Sequence, residues 1–131
     1  MRYLLDTHLL LWGITLPERM PARVRELADA DGNQAFASAV SIWEIAIKHA
    51  RNKGKPDDMP INGKQAFTLT EAAQIPLLDI LGAHAAEVDH LPLYHSDPFD
   101  RLMVAQARFE NMVLLTQDKQ LAAYGDFVMM V

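Results

Sequence analysis

Four acidic residues stand where this chain turns from one element to the next. They are Asp6 after the apolar run RYLL, Glu44 inside SAVSIWE, Asp100 in HSDPFDRLMVAQA and Asp118 just after MVLLT. Each has an ordinary local explanation. Asp6 and Asp118 suit the cap or first turn of a following helix, and Ser41 with Glu44 fits a Ser-x-x-Glu capping box. Asp97 followed by Pro98 matches an N-cap with proline at the first helical position, which puts Asp100 at the third, where an acid helps satisfy free amides. Taken together, the acids describe a different chemistry. Two ionised groups about 4 Å apart repel by about 4 kcal/mol at an effective dielectric near 20, so a cluster calls for raised pKa values or a cation. Oxygen donors in a chain without cysteine favour Mg²⁺ or Mn²⁺ over zinc, and Mg²⁺ keeps waters that can be activated for attack on phosphate.

Whether the acids meet depends on the elements that carry them. RYLL reads as a strand ending at Asp6, and THLLLWGI as a helix that follows it. MPARVRELADADGN reads as an amphipathic helix with Val24, Leu27 and Ala28 inward, stopped at Gly32 and Asn33, and AFAS as a short strand. From Val40 to Asn52 the positions Ile42, Ile45, Ala46 and His49 follow helical spacing. RNKGKPDDMPING then breaks the pattern and predicts a polar, mobile loop. KQAFTLTEAAQ predicts a helix, IPLLDI a buried strand and GAHAAEVDHL a short helix. The helix opened by Asp97 and Pro98 has Leu102, Met103, Gln106 and Phe109 on its expected inner side. MVLLT is the clearest strand, followed by a short helix KQLAAY and a last strand FVMMV. Apolar strands without clean alternation, separated by helices, predict an α/β fold with a mostly parallel sheet covered on both faces. Such sheets bind ligands outside the carboxyl ends of their strands, the edge where Asp6 and Asp118 fall. No repeat, linker or second domain is visible, so residues 1–131 are expected to form one domain.

The bulk properties agree. A chain of 131 residues, half of them hydrophobic, is long enough to bury a core without staples. The absence of cysteine removes disulfides, thiolate metal sites and a cysteine nucleophile, and suits a reducing cytoplasm. No apolar run reaches the roughly 18–20 residues of a membrane span, and the start shows no clear signal-peptide pattern. A net charge of −5 argues against gripping nucleic acid by bulk electrostatics. It leaves open an enzyme whose gathered acids hold cations that attract phosphate.

The stretches LLDTHLLLW, SAVSIWEIAIKHA, LPLYHSDPFDRLMVAQA and LLTQD resemble, in order, the motifs of PIN-domain ribonucleases, specifically VapC-like toxins of type II toxin–antitoxin pairs. The resemblance spans nearly the whole chain and implies a three-layer α/β/α sandwich. Carried over by position, the family's acidic quartet falls on Asp6, Glu44, Asp100 and Asp118, as catalytic and metal-holding residues. Asp100 is chosen over Asp97 because it directly precedes the apolar LMVAQA helix, which leaves Asp97 as an N-cap or supporting acid. Thr7, Ser41 and Thr116 match polar positions beside the acids. The implied activity is hydrolysis of RNA phosphodiesters by water activated at Mg²⁺ or Mn²⁺. The implied partners are an RNA substrate, a VapB-like antitoxin whose C-terminal segment crosses the acidic groove, and a second copy of the chain in a homodimer.

Lys48, Arg51, Arg101 and Lys119 lie near the motifs. Lys48 and Arg101 are the better candidates for RNA phosphate contacts, against the ordinary role of a solvated helix face. His8, His49, His84, His90 and His95 lack a tight ligand pair, which favours solvated or core histidines over zinc, with a supporting hydrogen bond expected of His95. Trp12 and Trp43 sit in apolar patterns that suit core or interface. Two other functions compete. A Mg²⁺-dependent phosphatase or phospho-acceptor domain also keeps acids at strand ends, but DTH lacks the Asp-x-Asp of the former. An inactive PIN-like RNA-binding module has no need of all four acids.

Overall fold

The structure, a computed structural model, describes residues 1–55 and 59–131. The central part of the expected polar loop, residues 56–58, lies outside the described residues. The elements run β1 (Arg2–Leu5), α1 (Thr7–Thr15), α2 (Ala22–Asp29), β2 (Gln34–Ser38), α3 (Ala39–Arg51), α4 (Gly63–Ala72), β3 (Leu77–Leu78), α5 (Gly82–Glu87), α6 (Pro98–Glu110), β4 (Val113–Thr116) and β5 (Val128–Met130). Single 3₁₀ turns cover Pro17–Arg19, Val88–His90 and Leu121–Tyr124.

All strand pairs are parallel, and the order across the sheet is β3-β2-β1-β4-β5. The chain therefore starts at the middle strand, winds out to one edge, and returns beside β1 to wind out to the other. The reversal between β1 and β4 is a topological switch point, which leaves a crevice at their carboxyl ends. Alternation along β1 builds the layers. Leu4 packs with Leu114 of β4 against Met103, Val104 and Ala107 of α6 and Val40 of α3. Tyr3 and Leu5 point the other way with Leu115, onto Leu9 of α1 and Val24 and Leu27 of α2. Full burial of one such leucine stabilises the fold by about 1.5–3 kcal/mol. A third cluster of Leu11, Ile45 and Ala66 ties α1, α3 and α4 together. Here α4 begins so close to α3 that a Cβ on Gly63 would lie 2.7 Å from Ala46 Cβ. No helix among the described residues is long and apolar enough to cross a membrane.

Local details differ from expectation for tertiary reasons. The IPLLDI strand is only Leu77–Leu78, because pairing at this edge is confined to Ala37 and Ser38 of β2. KQLAAY forms a 3₁₀ turn rather than an α-helix. Phe109 is 47% exposed, its ring standing edge-on to His84 at the rim instead of entering the core. The capping box expected of Ser41 and Glu44 does not form. Helix α3 starts earlier, with Ser38 as N-cap accepting from Val40 N, and this leaves both residues buried inside the helix.

Candidate metal centre

The crevice at the carboxyl ends of β1 and β4 is a cavity of about 380 Å³ lined by Asp6, Thr7, His8, Glu44, Lys48, His95, Asp97, Asp100, Gln117 and Asp118. The four acids of the expected quartet, one each from the ends of β1 and β4 and from α3 and α6, all face it.

Asp6 terminates β1 and caps α1. Its Oδ1 accepts from Leu9 N at 2.9 Å and its Oδ2 from Thr116 Oγ1 at 2.5 Å. Thr116 in turn accepts the Asp118 backbone N–H at 3.0 Å, so one hydroxyl spaces two acids of adjacent strands. Burial pushes the Asp6 carboxyl up from its ordinary 3.8, opposed by the hydrogen bonds from Thr116 and Leu9. Glu44 is buried, and Thr7 Oγ1 donates to its Oε1 at 2.6 Å while lying 3.0 Å from Ser41 Oγ. Glu44 Oε2 pairs with Lys48 one turn along α3. Thr7, Ser41 and Thr116 thus all sit beside the acids, at the positions the family resemblance pointed to.

The two aspartates that flank Pro98 and Phe99 do different things. Asp97 is the N-cap of α6, its Oδ1 accepting from Phe99 N at 2.8 Å and Asp100 N at 3.4 Å. Asp100, freed from capping, turns its carboxylate into the cavity. His95 Nε2 lies 3.4 Å from its Oδ2. Burial pushes the Asp100 pKa up to about 7, and the charges of Asp97, Glu44 and Asp6 push in the same direction, against His95. Asp118 is the most open of the four. His95 Nε2 reaches its Oδ2 at 2.9 Å, and its Oδ1 accepts from Gln120 N at 2.9 Å. Donor atoms of His95, Asp100 and Asp118 lie within 4.8 Å of one another. Four carboxyl groups gathered in one cavity, one of them raised by burial and by its acidic neighbours, offer hard oxygen donors that match a hard divalent cation.

The basic candidates divide. Lys48 lines the cavity, 6.0 Å from the Phe99 ring centroid. Arg101 does not line it: its guanidinium donates to the carbonyls of Val88 and Leu91, at 3.5 and 3.3 Å, bracing the turn before α6. Of the two residues expected to contact phosphate, Lys48 therefore lines the acid cavity and Arg101 stands outside its lining. Arg51 lines a neighbouring groove of about 350 Å³ that shares Thr7, His8, Glu44 and Lys48 with the acid cavity. What sequence reasoning understated is His95. It was given a supporting hydrogen bond, and it stands between Asp100 and Asp118. Its signal was its place two residues before the Asp97 cap.

A sequence profile of the PIN domain matches residues 3–126. No curated protein sequence matches the chain. Among solved structures the chain is similar to a chain of VapBC2 from Rickettsia felis bound to a promoter DNA fragment, at 16% identity and a TM-score of 0.69, covering 100% of this chain and 98% of that one. It is also similar to a chain of DNA-bound VapBC from Salmonella typhimurium, at 14% identity and TM-score 0.68, over 99% and 98%. A chain of a toxin–antitoxin complex from Klebsiella pneumoniae matches at 16% identity and TM-score 0.61, over 97% and 95%.

Proposed function

The chain belongs to the PIN-domain family, and on that premise we propose that it is a divalent-metal-dependent endoribonuclease acting as the toxin of a toxin–antitoxin pair. The observation that carries the reading is the meeting of Asp6, Glu44, Asp100 and Asp118 in one cavity at the topological switch point, with Asp100 pushed up to about 7 by burial and by the neighbouring carboxylates. Mg²⁺ or Mn²⁺ held by these carboxylates supplies charge neutralisation and an activated water for phosphodiester hydrolysis. The chain's own residues prepare the site. Thr116 and the Leu9 amide orient Asp6, Thr7 orients Glu44, and His95 orients Asp118. Lys48 on the wall presents a cation to a phosphate of the entering strand. Asp97 holds the first turn of α6 so that Asp100 faces inward.

The test is incubation of a mixed RNA pool with purified protein in Mg²⁺, Mn²⁺ or EDTA, beside Asp6→Asn and Asp100→Asn. Metal-dependent cutting lost in both variants is expected. RNA bound tightly but never cut would instead favour a binding module, and phosphorylation by a small phosphodonor would favour a phospho-acceptor domain.

The toxin role is supported by the kind of complexes in which the similar chains occur. It brings with it a VapB-like antitoxin, a homodimer and a cytoplasmic place of action. Trp43 and Ile47 on the outer face of α3 and Phe67 on α4 are 40–49% exposed and provide apolar surface for such partners. Light scattering should give twice the 14.7 kDa chain mass for the protein alone, and a larger mass with the product of a neighbouring reading frame. An unchanged mass in the second case would sink the antitoxin reading.

A further inference from the structure

The acid cavity continues into the groove between α1 and α3, which shares Thr7, Glu44 and Lys48 with it and reaches Asn52 and Met59. The α3 wall of this groove is one helical stripe. Glu44, Lys48 and Arg51 follow each other at four and three residues, so they line up along one side of the helix. Seven residues of helix span about 10 Å. A stacked nucleic-acid strand covers that length in about three nucleotides at about 3.4 Å each, and an extended one in fewer.

The stripe changes character along its length. At the cavity end Lys48 is paired with Glu44. At the far end Arg51 is exposed, and among the described residues no acid or carbonyl pairs with its guanidinium. A cation in the last turn of α3 suits the carbonyl end of the helix, which accounts for a charge there and not for the groove beside it. Leu11 of α1 and Met59 add apolar surface to the groove, and the His49 ring fixes Met59 by donating from Nδ1 to its carbonyl at 3.0 Å. An arginine fork, the Asn52 amide and an apolar face with a thioether are the complements of a phosphate, a base edge and a base plane. The groove also has the volume of a small-ligand pocket, about 350 Å³, which suits one unstacked nucleotide and not a duplex.

In a chain of net charge −5, a phosphate backbone needs local cations to follow. Among the described residues Lys48 is the one Lys or Arg that lines the acid cavity, and Arg101 is committed to the carbonyls of Val88 and Leu91. The cationic way out of the cavity therefore runs between α1 and α3. We propose that this groove is a nucleotide subsite for a single RNA strand cut at the acid cavity, with Arg51 holding a phosphate beyond the scissile one and a neighbouring base lying on Leu11 and Met59. The inference rests on the reading of the cavity as a nuclease centre and adds the path of the strand.

The test is binding of a fluorescein-labelled, mixed-sequence single-stranded RNA of about 12 nucleotides, within the usual site size for single strands, by the full chain in Ca²⁺. Ca²⁺ occupies hard oxygen sites, and gel analysis checks that the RNA stays whole. Arg51→Gln should weaken binding about tenfold, as for the loss of a charge-assisted contact. It should also lower the slope of log affinity against log salt by about 0.7, the contribution of one phosphate on a single strand. Arg51→Lys should keep the slope and lose part of the affinity. Arg23→Gln, at an exposed ion pair on α2, should change neither. Parent-like affinity and slope in Arg51→Gln overturn the proposal, as does an equal loss in Arg23→Gln. A lowered melting temperature with unchanged RNA binding assigns Arg51 to helix stability alone and overturns it too. If RNA binding is unchanged while association with the product of a neighbouring reading frame weakens, the groove belongs to a protein tail and the proposal falls. A photocross-link from 4-thiouridine in the same RNA should map to peptides holding Leu11 or Met59; links found only elsewhere contradict the placement of the base. RNA cut in Mn²⁺ but bound independently of Arg51 removes this inference alone. Arg51-dependent binding without cutting in Mn²⁺ removes the nuclease reading and leaves a binding groove.

Discussion

Two histidines in this molecule are wired alike and serve different ends. His84 Nδ1 accepts from the Leu81 backbone N–H at 3.0 Å, and its Nε2 meets Glu110 Oε1 at 3.0 Å. His95 Nδ1 accepts from the Asp97 amide, and its Nε2 meets Asp118. The surroundings differ. His84 is wholly buried beside one acid, and Gln106 is satisfied by Ser38 and the Asp79 carbonyl, so this network balances its donors and acceptors and simply joins α5 to α6. His95 has two carboxylates within reach of one ring nitrogen, with Glu44 and Asp6 close behind them. A balanced polar cluster is architecture, whereas an unbalanced one keeps a place for a ligand.

The contrast can be broken most strongly at Asp100. Asp100→Asn should lower metal-dependent RNA cleavage by at least about 100-fold, the loss typical of removing one preorganised electrostatic group, as measured by initial rates at saturating Mn²⁺. His84→Leu should do the reverse. It leaves the Leu81 amide and Glu110 without their buried partner and should cost about 2–4 kcal/mol in chemical denaturation, with Mn²⁺ affinity of the folded protein unchanged.

A third prediction uses pH. The Asp100 carboxyl titrates near 7 when folded against 3.8 when unfolded, so between these values the native state holds the extra proton and stability falls as pH rises. In the absence of metal, Asp100→Asn should therefore melt above the parent by a margin that grows from pH 4 to pH 7 and then levels off. Mn²⁺ should narrow that gap by stabilising the parent more than the variant. The smallest effect is expected from Thr116→Val, which removes the donor to Asp6 and should weaken Mn²⁺ binding by about tenfold or less, read by calorimetric titration.

The sequence made the sheet and its acid-bearing edge legible because strands with apolar residues on both faces and abrupt polar ends leave few alternatives. Asp6 and Asp118 follow β1 and β4 directly, and the parallel register brings Leu5 beside Leu115, so their neighbourhood follows from backbone order alone. Other features depended on side-chain direction across elements distant in sequence. That Ser38 and not Ser41 caps α3 follows from the strand ending at Ser38, a boundary propensity does not fix. Arg101 and Asp100 are neighbours on α6, yet one braces a turn and the other enters the cavity, because consecutive helical positions face different partners. The His95 network joins the loop before α6 to the end of β4 and Tyr124, a convergence that only the folded chain displays.

The central claim is that the acid cavity holds a cation while the similarly wired His84 network does not. A crystal of the protein soaked in Mn²⁺ and measured for anomalous scattering at the manganese edge tests it most directly. The account predicts a peak among Asp6, Asp100 and Asp118, with no peak beside His84 and Glu110. An empty cavity at saturating Mn²⁺, or a peak at Glu110 instead, would contradict it.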